Sequence, residues 1–385
     1  MAAFRLLAIR PSPKTPYGGV NSLVDTWVSA YGEAGVSHCP SPGDLPSADL
    51  SKYTHLWVPG TASELGQVSA FLKAQKTPLP LSYSYLFSDS PFVKPETTSF
   101  VEGFDFNVTH SEHISTAYKL AAFDNQPSPQ TFKAYQNLKV IPLGQPLAQF
   151  FTTQEILPIP RRDELRNVLF GEAVSNRDFI VLVTADTTRR SAGEIPTSDI
   201  VTKGGLTIAL ETLYHLKKHI PNAKMVFHLP GDLDLQTYCD GIGLEYGKDV
   251  FEEPREFPPN HLRYLYRACD IAFFPVANTL TYTQAIECMA NLLPVVVPDD
   301  HIWTDLLTES GVAIAVPASG FSKAPWDPTS FCRTINPMEA AEAIAKAKDA
   351  STFTEIPELA FNFIKDKGYD LDTCSRRWLK LFGII

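Results

Sequence analysis

Apolar residues along the chain fall into short unbroken runs separated by stretches of helical spacing. In the first half, "FRLLAI" (4–9), "THLWVPG" (54–60), "PLPLSYSYLF" (78–87), "FDFNVT" (104–109) and "LKVIPLG" (138–144) have strand length. Between the first two, Val20, Leu23, Val24, Trp27, Val28 and Tyr31 recur as one helical face, and "ASELGQVSAFLKAQ" (62–75) predicts a second helix. The second half repeats the alternation. Strands are predicted at "DFIVLVT" (178–184), "AKMVFHL" (223–229), "DIAFFPV" (270–276), "LPVVVPD" (293–299) and "VAIAV" (312–316). Helices are predicted over 203–220, 260–269, from Thr281 to Asn291, and over 302–309, 337–348, 355–367 and 372–382. Apolar strands without alternation, divided by helices, predict parallel sheets covered on both faces. The fold class expected is α/β, with two doubly wound Rossmann-like domains facing each other across a cleft. Ligands then belong at the carboxyl ends of the strands.

Chain length sharpens this division. At 385 residues the chain exceeds what one core supports, so two domains are expected. The boundaries fall at 1–151 for an N-terminal, acceptor-side domain and 152–175 for a polar Pro- and Arg-bearing linker containing "TTQEILPIPRRDELRN". A C-terminal domain follows over 176–368, then a final helix over 369–385 that has the first domain as its candidate packing surface. No apolar run approaches the roughly 18–20 residues that span a bilayer. The opening "MAAFRLLAIRPSPK" reads as a first core strand and not a signal peptide. Six scattered cysteines without a CxxC pair argue against a zinc site or a disulfide framework, and fit a cytoplasmic location. A net charge of −10 disfavours extended nucleic-acid contacts, which need a basic surplus.

Three segments carry residues suited to chemistry. Gly18 and Gly19 in "PYGGVNSLV" (16–24) follow the first strand and open a helix, where backbone amides can approach an anion; a tight turn is the alternative. In "LVTADTTRRSAGEIPTSDIVTKGG" (182–205), Arg189 and Arg190 follow a strand's carboxyl end and Lys203 starts the next helix. Arginine forks suit phosphate oxygens, and a lysine at a helix start runs against the helix field; a solvated basic loop is the alternative. In "NTLTYTQAIECMANLLPVVVPD" (278–299), Glu287 stands between Ile286 and Cys288 on a helix between buried strands and shares a face with Gln284. A partly buried carboxylate needs a hydrogen-bond donor, which sugar hydroxyls, a neighbouring loop or an arginine can supply. His110 and Tyr83 lie near strand ends of the first domain. Both are candidates to face a reacting centre, against a structural role for each.

Together these segments resemble the retaining, GT-B-fold glycosyltransferases of family 4. "VTHSEHIS" (108–115) followed by "LKVIPLG" resembles the N-domain's strand, serine-bearing loop, helix and V-I-P-x-G. "TRR…KGG" resembles the donor-diphosphate grip. "LRYLYRACDIAFFPVANTLTYTQAIECMANLLPVVVPD" (262–299) resembles the helix, proline-ended strand and glutamate-bearing helix before G-x-P-V-V. The resemblance implies that Glu287 binds ribose hydroxyls and that Arg189, Arg190 and Lys203 act on the diphosphate; His110, from its place near a strand end, is the further catalytic candidate. It assigns Gly18, Gly19 and Val20 to a glycine-rich loop near the donor. Pro275, Thr279, Thr281, Tyr282 and Thr283 join Glu287 as donor contacts. Two departures stand out: Thr279 occupies the position of the first glutamate of the family's pair, and Asn291 replaces the glycine before x-P-V-V.

The implied activity is metal-independent hexosyl or pentosyl transfer from a nucleotide-diphosphate sugar, with retention of anomeric configuration and no cofactor beyond the donor. The acceptor is open among glycan, lipid, small molecule and modified nucleic acid. A GT-B epimerase, or a degenerate nucleotide- or glycan-binding protein supported by Thr279, are the alternatives.

Overall fold

The computed structural model describes residues 4–10, 18–39, 42–76, 78–87, 93, 95–124, 127–145, 147, 161–184, 205–228, 235–255, 257, 259–276, 279–299, 311–323 and 331–385. The chain forms two compact units, Met1–Pro146 with Gly368–Ile385, and Leu147–Lys367.

Unit 1 is a six-stranded parallel sheet of β1 (Leu6–Ile9), β2 (Val36–Cys39), β3 (His55–Gly60), β4 (Leu81–Leu86), β5 (Phe106–Thr109) and β6 (Lys139–Val140). Its order is β2-β1-β3-β4-β5-β6, so the winding reverses between β1 and β3. The helices are α1 (Gly18–Gly35), α2 (Ala62–Ala74), α3 (Glu112–Asp124) and α4 (Pro129–Gln136). Strand alternation sends Leu7, Ile9, Leu56 and Val58 into the core shared with α2 and α3, and Leu6, Ala8 and Trp57 into the opposite core with α1. α2 starts at a capping box in which the Thr61 side chain and Glu64 satisfy each other's backbone amides.

The opposite core is closed by the terminal helix, Leu371–Leu381. Trp378 is fully buried and stands edge-on to Trp57 at 5.5 Å and to Tyr85 at 5.0 Å, while Trp27 Nε1 donates to Ser375 Oγ at 2.8 Å. Such edge-to-face packing is the arrangement that aromatic quadrupoles favour. Tyr83 belongs to this core. It stacks on Phe106 at 4.8 Å, and burial pushes its phenol up to about 12.

Unit 2 holds β7 (Phe179–Thr184), β8 (Ala223–His228), β9 (Val250–Glu253), β10 (Ile271–Phe273), β11 (Val295–Asp299), β12 (Ile314–Lys323) and β13 (Phe331–Ile335). They are ordered β13-β12-β11-β10-β7-β8-β9. The helices are α5 (Arg162–Phe170), α6 (Leu206–Leu216), α7 (Leu235–Ile242), α8 (Pro259–Ala268), α9 (Thr279–Ala290), α10 (Pro337–Asp349) and α11 (Ile356–Lys367). The sheet is parallel from β9 to β12, but β12 runs past the predicted Val316 and pairs antiparallel with β13. That hairpin, absent from the sequence reading, gives the sheet a mixed edge.

Within the predicted linker, Arg162–Phe170 is a helix of unit 2. Its Arg166 is 1% exposed, pairs with Asp270 at 2.7 Å, and donates to the carbonyls of Ala268 and Asp178. Arginines assigned by sequence to the linker are thus donors to the end of α8. Asp270 also accepts from Ile180 N at 2.7 Å, tying β7 to the same junction. The predicted helix at 302–309 lies outside the described residues. No helix among the described residues is long and apolar enough to cross a membrane.

Candidate functional site

In unit 2 the winding reverses between β7 and β10, so their carboxyl ends mark the ligand position in a doubly wound sheet. Three contacts build that place. Thr184 Oγ1, the last residue of β7, donates to Gln284 Oε1 at 2.8 Å, which fixes α9 against the strand end. Gly205 adopts φ +74 just before α6, and a Cβ there would lie 2.6 Å from Val276 Cγ2 and 2.7 Å from Pro275 Cγ. Only glycine permits this combination of left-handed backbone and close approach. Pro275 is therefore the buried neighbour that brings the start of α6 to the end of β10. Gly205, the residue before α6, has no side chain to cap the helix's first amides, and such a helix start suits an anion.

α9 opens at Thr279, two residues before the predicted start, and carries Thr281, Tyr282 and half-buried Thr283 in its first turns. Glu287 lies on the same helix and is half-buried. Tyr266 of α8 donates its hydroxyl to Glu287 Oε2 at 2.9 Å, leaving Oε1 without a hydrogen-bond partner among the described residues. Burial raises the Glu287 carboxyl to about 7, and the Tyr266 bond offsets part of that rise. The Tyr266 phenol is itself pushed well above its usual range by burial, then by the adjacent carboxylate. Among the described residues, the hydrogen-bond donor that meets this carboxylate is thus a tyrosine.

The exit from α9 corrects the sequence register. Counting back from Pro294, the glycine position of G-x-P-V-V is Leu292, and Leu292 has φ 60. A leucine in the left-handed region is strained, which explains why glycine suits this position. Asn291, to which that role was assigned, instead donates its side-chain amide to the Glu287 carbonyl at 2.8 Å and finishes the helix.

Arg189, Arg190 and Lys203 lie outside the described residues. In unit 1, Gly18, Gly19 and Val20 form the first turn of α1, following β1 as the pattern required. His110 directly follows β5 and is 6% exposed, with its ring edge-on to Phe87 at 5.9 Å. Its Nδ1 is buried and has no hydrogen-bond partner among the described residues, and burial lowers the imidazole to about 4. Among the described residues, no group of three or more His, Cys, Asp or Glu side chains could hold a metal ion.

No family model matches the sequence, and no curated protein matches it. Solved structures do. Trehalose-6-phosphate synthase OtsA superposes with a TM-score of 0.62 at 14% identity, covering 99% of each chain. A trehalose-6-phosphate enzyme from E. coli bound with UDP-2-fluoro glucose gives the same values. TarM reaches a TM-score of 0.54 at 13% identity over 87% of this chain and 55% of its own. The fold is GT-B. The expected α/β class with two Rossmann-like units therefore holds.

Tyr266 and the Thr184–Gln284 pair were missed by the sequence reading. "LRYLYRAC" shows Tyr266 only as one more helix-face aromatic, because its partner lies 21 residues away on another helix.

Proposed function

We propose that the protein is a glycosyltransferase that draws its sugar from a nucleotide-diphosphate donor and transfers it with retention of anomeric configuration. The observation that carries this reading is Glu287: a half-buried carboxylate with one oxygen held by Tyr266 and the other open, on a helix fastened to the end of β7. Such a group can accept a hydrogen bond from a ribose hydroxyl. The uncapped start of α6 suits the diphosphate, and Lys203, Arg189 and Arg190 supply its counter-charge. The GT-B fold and its occurrence in a trehalose-6-phosphate enzyme bound with UDP-2-fluoro glucose support a nucleotide-sugar donor.

In the reaction, the bond between the anomeric carbon and the diphosphate oxygen breaks, and a bond to the acceptor oxygen forms on the same face. The acceptor's proton passes to the departing diphosphate. Cations at the leaving group stabilise its developing charge, and no cofactor besides the donor is required. His110 of unit 1 keeps its imidazole neutral at physiological pH through burial, so any part it plays is through hydrogen bonds and not a positive charge.

A thermal-shift screen of nucleoside diphosphates and their sugars tests the reading, with a base-specific rise in melting temperature as the expected result. No rise with any nucleotide sinks it. Replacing Lys203, Arg189 and Arg190 together by alanine abolishes donor turnover, and anomeric analysis of the product decides retention. One observation favours a second reading, binding without turnover: Thr279 stands where the family resemblance calls for a glutamate. Calorimetric binding of a nucleotide-sugar with neither hydrolysis nor transfer would select it.

A further inference from the structure

Four arginines gather where α5 meets α8, in a chain whose net charge is −10. Arg162 and Arg166 share one carboxylate, Asp270, at 2.6 and 2.7 Å. Asp270 is also bonded to the Ile180 amide, so its oxygens are committed. The other two, Arg263 and Arg267, stand one helical turn apart on α8 and have no ion-pair partner among the described residues. Arg263 is 7% exposed, and its guanidinium lies over the Tyr264 ring at 4.9 Å with one bond, Nη2 to the Tyr264 hydroxyl at 3.1 Å. The Nε atoms of both Arg263 and Arg267 are buried with no hydrogen-bond partner among the described residues.

Two neighbouring cations, one of them more than nine-tenths buried, are costly without an anion. Burial, and then the charge of Arg263, depress Arg267 below the usual arginine range. Residues i and i+4 on a helix share a face, so the two forks can close on one tetrahedral anion.

We propose that Arg263 and Arg267 form an anion site that takes a small phosphate-bearing ligand. Its two arginines flank Tyr266 on α8, and neither belongs to the groups assigned to the donor diphosphate at the start of α6. The proposal does not depend on the glycosyltransferase reading.

The test is calorimetric titration of the full chain with inorganic pyrophosphate, and separately with orthophosphate, at constant ionic strength set by chloride. Wild type, an Arg263→Gln/Arg267→Gln variant and a Lys203→Ala/Arg189→Ala/Arg190→Ala variant are compared. Saturable binding is expected in wild type and in the Lys203 variant, with affinity weakened about tenfold or more in the Arg263/Arg267 variant. Should the double variant fail to fold, Arg267→Gln alone keeps the buried guanidinium and still weakens binding about threefold or more. The Arg267→Lys variant recovers part of the loss. Equal binding by wild type and the arginine variants, loss confined to the Lys203 variant, or no saturable binding in wild type each overturns the proposal.

Discussion

In unit 1 the end of β5 carries His110, an imidazole that burial lowers to about 4 and whose Nδ1 meets no partner among the described residues. In unit 2 the corresponding chemistry is acidic: Glu287, which burial raises to about 7 and Tyr266 holds by one oxygen. Both shifts have the same cause, the cost of a charge away from water. Their consequences differ. His110 is locked neutral across the physiological range and can offer only hydrogen bonds. Glu287 sits near its midpoint, so a ligand that donates to it can tip it into the charged form. The Glu287 carboxyl is therefore responsive to pH near 7, and the His110 imidazole is not.

The largest effect should come from removing the responsive group. Glu287→Ala is expected to weaken nucleotide-sugar binding about 10- to 100-fold, the loss of a charge-assisted hydrogen bond. Calorimetry at pH 6 and pH 8 should also find wild-type affinity higher at pH 8, because the acceptor form of Glu287 grows as pH rises through 7. Affinity that is unchanged by the substitution, or that falls with pH, breaks the comparison.

Stability gives the next effect, with opposite signs for the two residues. Glu287 has a folded value of about 7 against an ordinary 4.5. Its contribution is fully present below 4.5 and is lost as pH rises through 7. His110 has a folded value of about 4 against 6.5, so its contribution is present above 6.5 and is lost as pH falls through 4. Measured against wild type by denaturant melts, Glu287→Gln should therefore gain stability with rising pH between 4.5 and 7. His110→Asn should lose relative stability with rising pH between 4 and 6.5. Each slope is bounded by about 1.4 kcal/mol per pH unit. Slopes of the same sign would show that burial is not the common cause.

The smallest effect isolates the tyrosine. Tyr266→Phe removes the one bond that favours the ionised carboxylate, so the Glu287 titration seen by carbon NMR should move upward by about one unit or less. No movement would mean that Tyr266 does not govern the site.

Much of this was legible in the sequence where burial was two-sided. β7, β10 and β11 announced themselves as apolar runs, and α1 as a helical stripe. Elements with a polar or short signature escaped the apolar pattern: β2 is "VSHC", β9 is "VFEE", and α4 carries Gln130 and Lys133, while α3 was indicated only by the family resemblance. Glu287 was readable because a carboxylate between Ile286 and Cys288 conflicts with its surroundings. What held it was not, since the Tyr266 contact depends on how α8 meets α9. The left-handed turn at Leu292 was missed by one position because no glycine marks it. Composition gave Arg166 no weight, as an arginine buried by carbonyl acceptors looks in sequence like any solvated arginine.

The terminal helix has a consequence for how the protein comes into being. Trp378 fills the space between Trp57 and Tyr85 in unit 1, although more than two hundred residues of unit 2 are synthesised in between. At ribosomal speeds of roughly 5–20 residues per second, the nascent first unit waits for tens of seconds with that aromatic face uncovered. Unit 2 can condense as it emerges. The unit made first is therefore the last to be finished.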